Sequence, residues 1–300
     1  MRGETHQCKP TLTDEDVVQF CKQGFVVLEA VVPDEVNRRT TAFLDEHPGM
    51  EPNEILGETW FFDAVIKNPA ATGVLRSLLG ASFLLPTILS NHRIECPRQI
   101  NCGWHRDSGS IFTPRLDFLQ VFYYPQDTPQ ALGPTELLPS SHFIRGRRRF
   151  MEHYGNIRYG VWTAAPAGSI FITHYSIWHR ATAATASGVR NLLKYNYWRT
   201  ALPGRDWIAD GNVDAMELNF LPGDVPGNPM LEKWHQCIPV ARMFYWLCGL
   251  GEELAFTGGL SWPINAGYGR PTDTGLPSAF ECAGESPSGL WDVRHPGGRE

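Results

Sequence analysis

The segment GWHRDSG (103–109) places His105 and Asp107 two residues apart. On extended backbone, residues i and i+2 point to the same side, so both can bind one metal ion. A chain with 10 His residues and this Asp content yields roughly 0.5 such pairs by chance. The pair therefore needs a third ligand before it means a site. HEXXH is absent, which removes a helix-borne zinc protease centre. The candidates are His92, His142, His174 and His179. His179 ends the apolar run IFITHYSIWH (170–179), where an imidazole can enter a cavity. His174 competes with it. Five residues separate the two, so on one continuous strand they face opposite sides and only one can face the metal.

Arg190 adds a second kind of chemistry. It opens the apolar stretch RNLLKYNYWR (190–199). A hairpin across 181–190 would bring it back beside His179. A buried Arg is costly unless it meets an anion, and its planar fork suits a carboxylate. A metal at one end and a cation at the other fit a small chelating dicarboxylate. Two His and one carboxylate on one face of a metal leave three positions open, the facial triad of non-haem Fe(II) oxygenases. A bidentate 2-oxo acid takes two and O2 the third.

These residues need elements to position them. A helix is predicted over 13–23, with Thr13 as cap and Gly24 as stop. FVVLEAVV (25–32) reads as a strand, followed by helices from Pro33 to about His47 and over 69–79. Apolar and aromatic runs then dominate: 83–96, 116–124, 135–139, 168–179 and 190–199, punctuated by Pro, Gly and Asn. This is the pattern of an antiparallel β-sandwich or barrel. Residues 231–250 are apolar at helical spacing, with Pro239 as start or kink. We expect one domain over 1–265 with helical additions at both ends, and a Gly/Pro-rich, partly disordered tail over 266–300.

Composition agrees with a folded, turn-rich globule. Of 300 residues, 42% are hydrophobic and 19% charged, with 29 Gly and 23 Pro. No apolar run reaches the length of a membrane span. The net charge of −6 argues against a general nucleic-acid binder. Arg145, Arg147, Arg148 and Arg149 form a local basic cluster. Seven Cys without a CxxC pair exclude a zinc ribbon and a disulfide scaffold. The N-terminus MRGETHQCKP has no apolar core of a secretory signal, so a cytoplasmic setting is expected.

Taken in order, TLTDEDVVQFCKQGFVVLEAVVPDE (11–35), WHRD (104–107), GPTELLPSSH (133–142), AGSIFITHYSIWHRA (167–181) and Arg190, eleven residues after His179, carry a resemblance. Over about 11–200 the chain resembles the phytanoyl-CoA dioxygenase family of Fe(II)/2-oxoglutarate oxygenases. The resemblance implies a mainly β fold with flanking helices, built on a double-stranded β-helix or cupin-like jelly roll. It implies iron on His105, Asp107 and His179, and Arg190 on the distal carboxylate of 2-oxoglutarate. One departure is Ser140, where the family pattern PGSH has Gly. Halogenating relatives replace the carboxylate ligand with a small residue; here Asp107 is present.

The expected function is therefore Fe(II)- and 2-oxoglutarate-dependent oxidation by O2 of an unactivated C–H in a small organic molecule, releasing succinate and CO2. Hydroxylation, desaturation and cyclisation all fit. The rivals are a cupin-like metalloenzyme that needs no 2-oxoglutarate, and a non-catalytic jelly-roll binding module. By strand position Gln120 and Thr135, with Asn91 and Lys194, are candidates for the other carboxylate of the cosubstrate. His142 reads as a structural hydrogen-bonder. Trp104, Phe61 and Arg145 are candidate substrate contacts, with 52–66, 145–149 and parts of 200–265 as a lid. The aromatic residues of that lid predict a largely apolar pocket.

Overall fold

The computed structural model describes residues 3–108, 115–144, 148–211, 220 and 229–250, with backbone only over 229–237. They fall into two compact units. The first comprises residues up to Thr11 and Gly24–Ala201; the second comprises Leu12–Gln23 and residues from Leu202 onward. The expected domain over 1–265 spans both and runs past the described residues, and the tail 266–300 lies outside them.

Among the described residues the first unit holds twelve strands, all paired antiparallel: β1 (Thr5–His6), β2 (Phe25–Leu28), β3 (Phe83–Leu84), β4 (Leu89–Asn91), β5 (Ile94–Arg98), β6 (Phe118–Tyr124), β7 (Thr135–Leu137), β8 (Val161–Trp162), β9 (Ser169–His174), β10 (His179–Ala181), β11 (Ala184–Arg190) and β12 (Leu193–Trp198). The large sheet runs β1-β3-β12-β6-β9-β2, with β4 also on β12. Two smaller sheets are β10-β7-β8 and β11-β5. The mainly β expectation holds.

The sequence explains the large sheet through period-2 patterning. Along β6, Leu119, Val121 and Tyr123 alternate with Gln120, Phe122 and Tyr124. Phe122 and Tyr124 pack with Phe25, Leu137, Phe171, Ile177 and Leu192. Tyr123 reaches the other side, where its hydroxyl donates to Asn37 Oδ1 at 2.7 Å. That side carries helices: α2 (Asp34–Glu46), short α3 (Thr59–Phe61) continuing as a wider turn over Phe62–Ile66, and α4 (Pro69–Leu79). Asn68 caps α4 by accepting from the amides of Ala70 and Ala71, and Pro69 occupies the first turn. The second unit holds α1 (Asp14–Gln23) and α5 (Pro229–Leu247), which passes through Pro239. Within it, buried Asp14 accepts from Arg205, Trp207 and the amide of Asp210.

Three strand expectations are corrected. The run 83–96 is three short strands, broken at Pro86 and again after Asn91. The run 168–179 is also broken: β9 ends at His174, and β10 starts at His179 in a different sheet. The opposite-face rule therefore does not apply to His174 and His179. Arg190 does not open a strand hairpinned to His179. It closes β11, opposite Ile94 of β5, while β10 pairs with β7. Ser140 sits at φ 63°, in the left-handed region. That backbone explains a Gly there in the family pattern.

No helix among the described residues is long and apolar enough to cross a membrane.

Candidate metal centre

His105 and His179 are held together by backbone. Each donates its N–H to the other's carbonyl, at 3.0 and 2.9 Å. This isolated antiparallel bridge fixes the two side chains on one side, with ring centroids 4.6 Å apart. Both Nδ1 atoms lie beside a carbonyl two residues back, Gly103 O at 2.9 Å and Ile177 O at 3.1 Å. A carbonyl only accepts, so Nδ1 carries the proton and Nε2 keeps its lone pair. Asp107 completes the group: ligand atoms of His105, Asp107 and His179 all lie within 4.8 Å of one another. Two oriented imidazoles and a carboxylate fit a divalent transition metal.

The electrostatics favour ligands ready to bind. Burial, with the charge of His179, lowers His105 to about 4. It is neutral at ordinary pH, as a ligand must be. Burial works to raise Asp107. The neighbouring His179 and the charge of Lys194 overcome this and hold it well below the usual carboxylate range. Asp107 Oδ1 lies 3.5 Å from His179 Nε2. Its Oδ2 accepts from Gln120 Nε2 and from Lys194 Nζ, each at 2.7 Å.

Two cavities meet at this group. The larger, about 530 Å³, reaches His105 and His179 and is lined by Arg190, Thr135 and Lys194. Arg190 is fully buried, and its Nε and Nη1 have no hydrogen-bond partner. Burial lowers its pKa, and the neighbouring Tyr124 hydroxyl opposes this. A buried guanidinium with two unsatisfied donors is a built receptor for an anion. The smaller cavity, about 330 Å³, is walled by Asp107, Gln120, Tyr175, Arg148, Asn196 and Glu51. His92 and Lys194 line both.

The other candidates divide. Gln120 is at the centre, but as a donor to Asp107. Thr135 lies at the Arg190 cavity. Asn91 holds Asn191 Oδ1 and the amide of Leu192, a structural role. His174 is out of the site; its Nδ1 accepts from the amide of Ser176 and its ring lies 4.9 Å from that of His142. Trp104 lines neither of these two cavities. It is buried, donates to Gly155 O at 2.9 Å, and lies under the Arg180 guanidinium at 4.6 Å. Phe61 is likewise core, packed on Tyr123. Arg145 lies outside the described residues. The aromatics of 52–66 line neither cavity: Phe61 is core, while Trp60 and Phe62 are half-buried beside Arg39 and Lys67. Pro48, Met50, Ile94 and Leu192 line the larger cavity and Ile88 and Leu89 the smaller, so apolar walls surround the polar groups at the metal ligands, as expected.

Lys194 and His92 are the residues that sequence reasoning placed less well. Lys194 was legible as a cation in an apolar strand, but nothing local tied it to Asp107. Burial, then the charge of Lys194, lowers His92 to about 3, leaving it a neutral wall residue.

No family model matches the sequence, and no curated protein does. Solved structures do. One is HygX from Streptomyces hygroscopicus with nickel and 2-oxoglutarate bound: TM-score 0.52 and 12% identity, covering 66% of this chain and 90% of that one. Another is SnoK, a non-heme alpha-ketoglutarate-dependent carbocyclase from nogalamycin biosynthesis: 0.50 and 20%, covering 70% and 94%. A third is SnoN, an epimerase of the same cofactor class from the same biosynthesis: 0.50 and 16%, covering 61% and 79%. At these identities the likeness is one of fold.

Proposed function

We propose that this chain is an Fe(II)- and 2-oxoglutarate-dependent oxygenase on a jelly-roll core, acting on a small organic molecule. The observation that carries this is the pairing of two features around the larger cavity, which His105, His179 and Arg190 line while Asp107 walls the smaller one beside it. One is a His105–Asp107–His179 group with oriented lone pairs. The other is the buried, unsatisfied Arg190. The shared fold with HygX, whose structure holds nickel and 2-oxoglutarate, supports it.

In this reading His105 Nε2, Asp107 Oδ1 and His179 Nε2 hold iron, which supplies the redox chemistry with O2 when bound. Arg190 takes the distal carboxylate of 2-oxoglutarate through its free Nε and Nη1, with Thr135 on the same cavity wall. The His105–His179 backbone bridge keeps the two imidazoles in register. The substrate enters from the smaller cavity, on the Asp107 side. Hydroxylation, ring formation, desaturation or epimerisation are outcomes that this one arrangement can direct by substrate placement.

The test is the protein loaded with Fe(II) in air, with 2-oxoglutarate and without added substrate. Slow release of succinate that depends on 2-oxoglutarate supports the reading. Metal binding with no succinate and no 2-oxoglutarate loss would contradict it.

A further inference from the structure

Asp107 has both oxygens committed to different tasks. Oδ1 faces His179 Nε2 at 3.5 Å. Oδ2 is capped by two donors, Gln120 Nε2 and Lys194 Nζ, each at 2.7 Å. Strand periodicity delivers both. β6 and β12 are neighbours, with Gln120 opposite Asn196 and Phe122 opposite Lys194. Gln120 and Lys194 thus share the face that looks at the metal group.

Gln120 alone would satisfy one lone pair of Oδ2 without placing a charge in the core. Lys194 is a cation with only 5% of its side chain exposed. Its ammonium also lies 3.3 Å from His179 Nε2, an atom meant for the metal. A fixed positive charge there opposes a dication. Such a residue is a poor choice for metal affinity, so its charge calls for another partner.

We propose that Lys194, with Gln120, keeps Asp107 a one-oxygen ligand, and that the Lys194 charge lowers metal affinity while raising affinity for an anionic chelator on that metal. This rests on the metal-site reading above. A carboxylate bound through both oxygens would occupy a further coordination position; capping Oδ2 leaves three open. Once Asp107 shares its charge with a metal, Lys194 is left under-compensated in a buried place. A carboxylate on the metal restores its balance. Lys194 is a positioning residue in this account.

The test uses Co(II) as probe metal and oxalate as probe chelator, on the full chain. Lys194→Met should bind Co(II) at least about tenfold more tightly, and its Co(II) form should bind oxalate at least about tenfold more weakly, the range of a charge-assisted hydrogen bond. The visible Co(II) spectrum should shift toward higher coordination number. Lys194→Arg keeps the charge and should restore both affinities toward wild type. Lys194→Gln is a second neutral variant, should Met fail to fold, with the same split expected. A parallel loss of both affinities, or no change in either, overturns the inference. Wild type that binds no Co(II) overturns the metal-site reading itself.

Discussion

At the scale of single residues, the metal group makes two distinct demands. The ligands must be deprotonated and aimed, and the anion receptor must be unsatisfied. His105 and Asp107 are held unprotonated and, with His179, aimed at one point; Arg190 meets the second. Replacing Asp107 or His179 by Ala should reduce Fe(II) affinity by about 100-fold or more, since removal of an oriented outer-sphere partner alone costs about 10–100-fold. Equilibrium dialysis reads it. Arg190→Ala should raise the KM for 2-oxoglutarate by about 10–100-fold, corresponding to one charge-assisted contact of about 1.5–3 kcal/mol. Metal affinity should stay near wild type. A variant that loses metal and cosubstrate together would place Arg190 in the fold rather than in the site. The residues carrying both demands were legible because their types are costly to bury. Trp104 and Phe61 were misplaced for the converse reason: a buried aromatic in the core and one at a pocket wall look alike in sequence.

At the scale of elements, β10 is the weak point. It has three residues, yet it carries His179. Its hold on β7 is reinforced by a buried pair, Arg180 Nε to Glu136 Oε2 at 2.7 Å. Arg180 also donates to Gly155 O and Asn156 Oδ1. Glu136→Ala leaves that guanidinium buried without its carboxylate, and should cost about 3 kcal/mol. Urea unfolding gives the loss. Metal affinity should fall with it, because His179 loses its frame; unchanged affinity would show that the His105–His179 bridge suffices. The helix over 69–79 followed from local signals, whereas its Asn68 cap is read from the structure alone. The break between β9 and β10 did not. Tyr175 and Ser176 lie inside an apolar run without Gly or Pro, and the chain changes sheet there through long-range pairing. The same long-range pairing puts Arg190 opposite Ile94 instead of in a hairpin.

At the scale of the whole molecule, pH couples the core to stability. Burial lowers His174 to about 4, and its Nδ1 accepts from the Ser176 amide, which a second proton would break. Its unfolded value is 6.5. Between these values the unfolded chain holds a proton that the native state lacks. Stability is therefore fully present above pH 6.5 and falls as pH drops toward 4, by about 3 kcal/mol at most from this group. Urea midpoints at pH 7.5 and 5 should show the loss, and His174→Gln should lose less. Equal losses would place the sensitivity elsewhere.

The central claim is that His105, Asp107 and His179 bind a metal where the two cavities meet, and that 2-oxoglutarate lies between that metal and Arg190. The most direct test is anaerobic. Fe(II) is added to the metal-free protein, then 2-oxoglutarate, and the visible metal-to-ligand charge-transfer band of the chelate is sought. The account predicts a band in the wild type. It should be absent in Asp107→Ala, and should need far more 2-oxoglutarate in Arg190→Ala. Bound iron without a band in the wild type, at saturating 2-oxoglutarate, would contradict it.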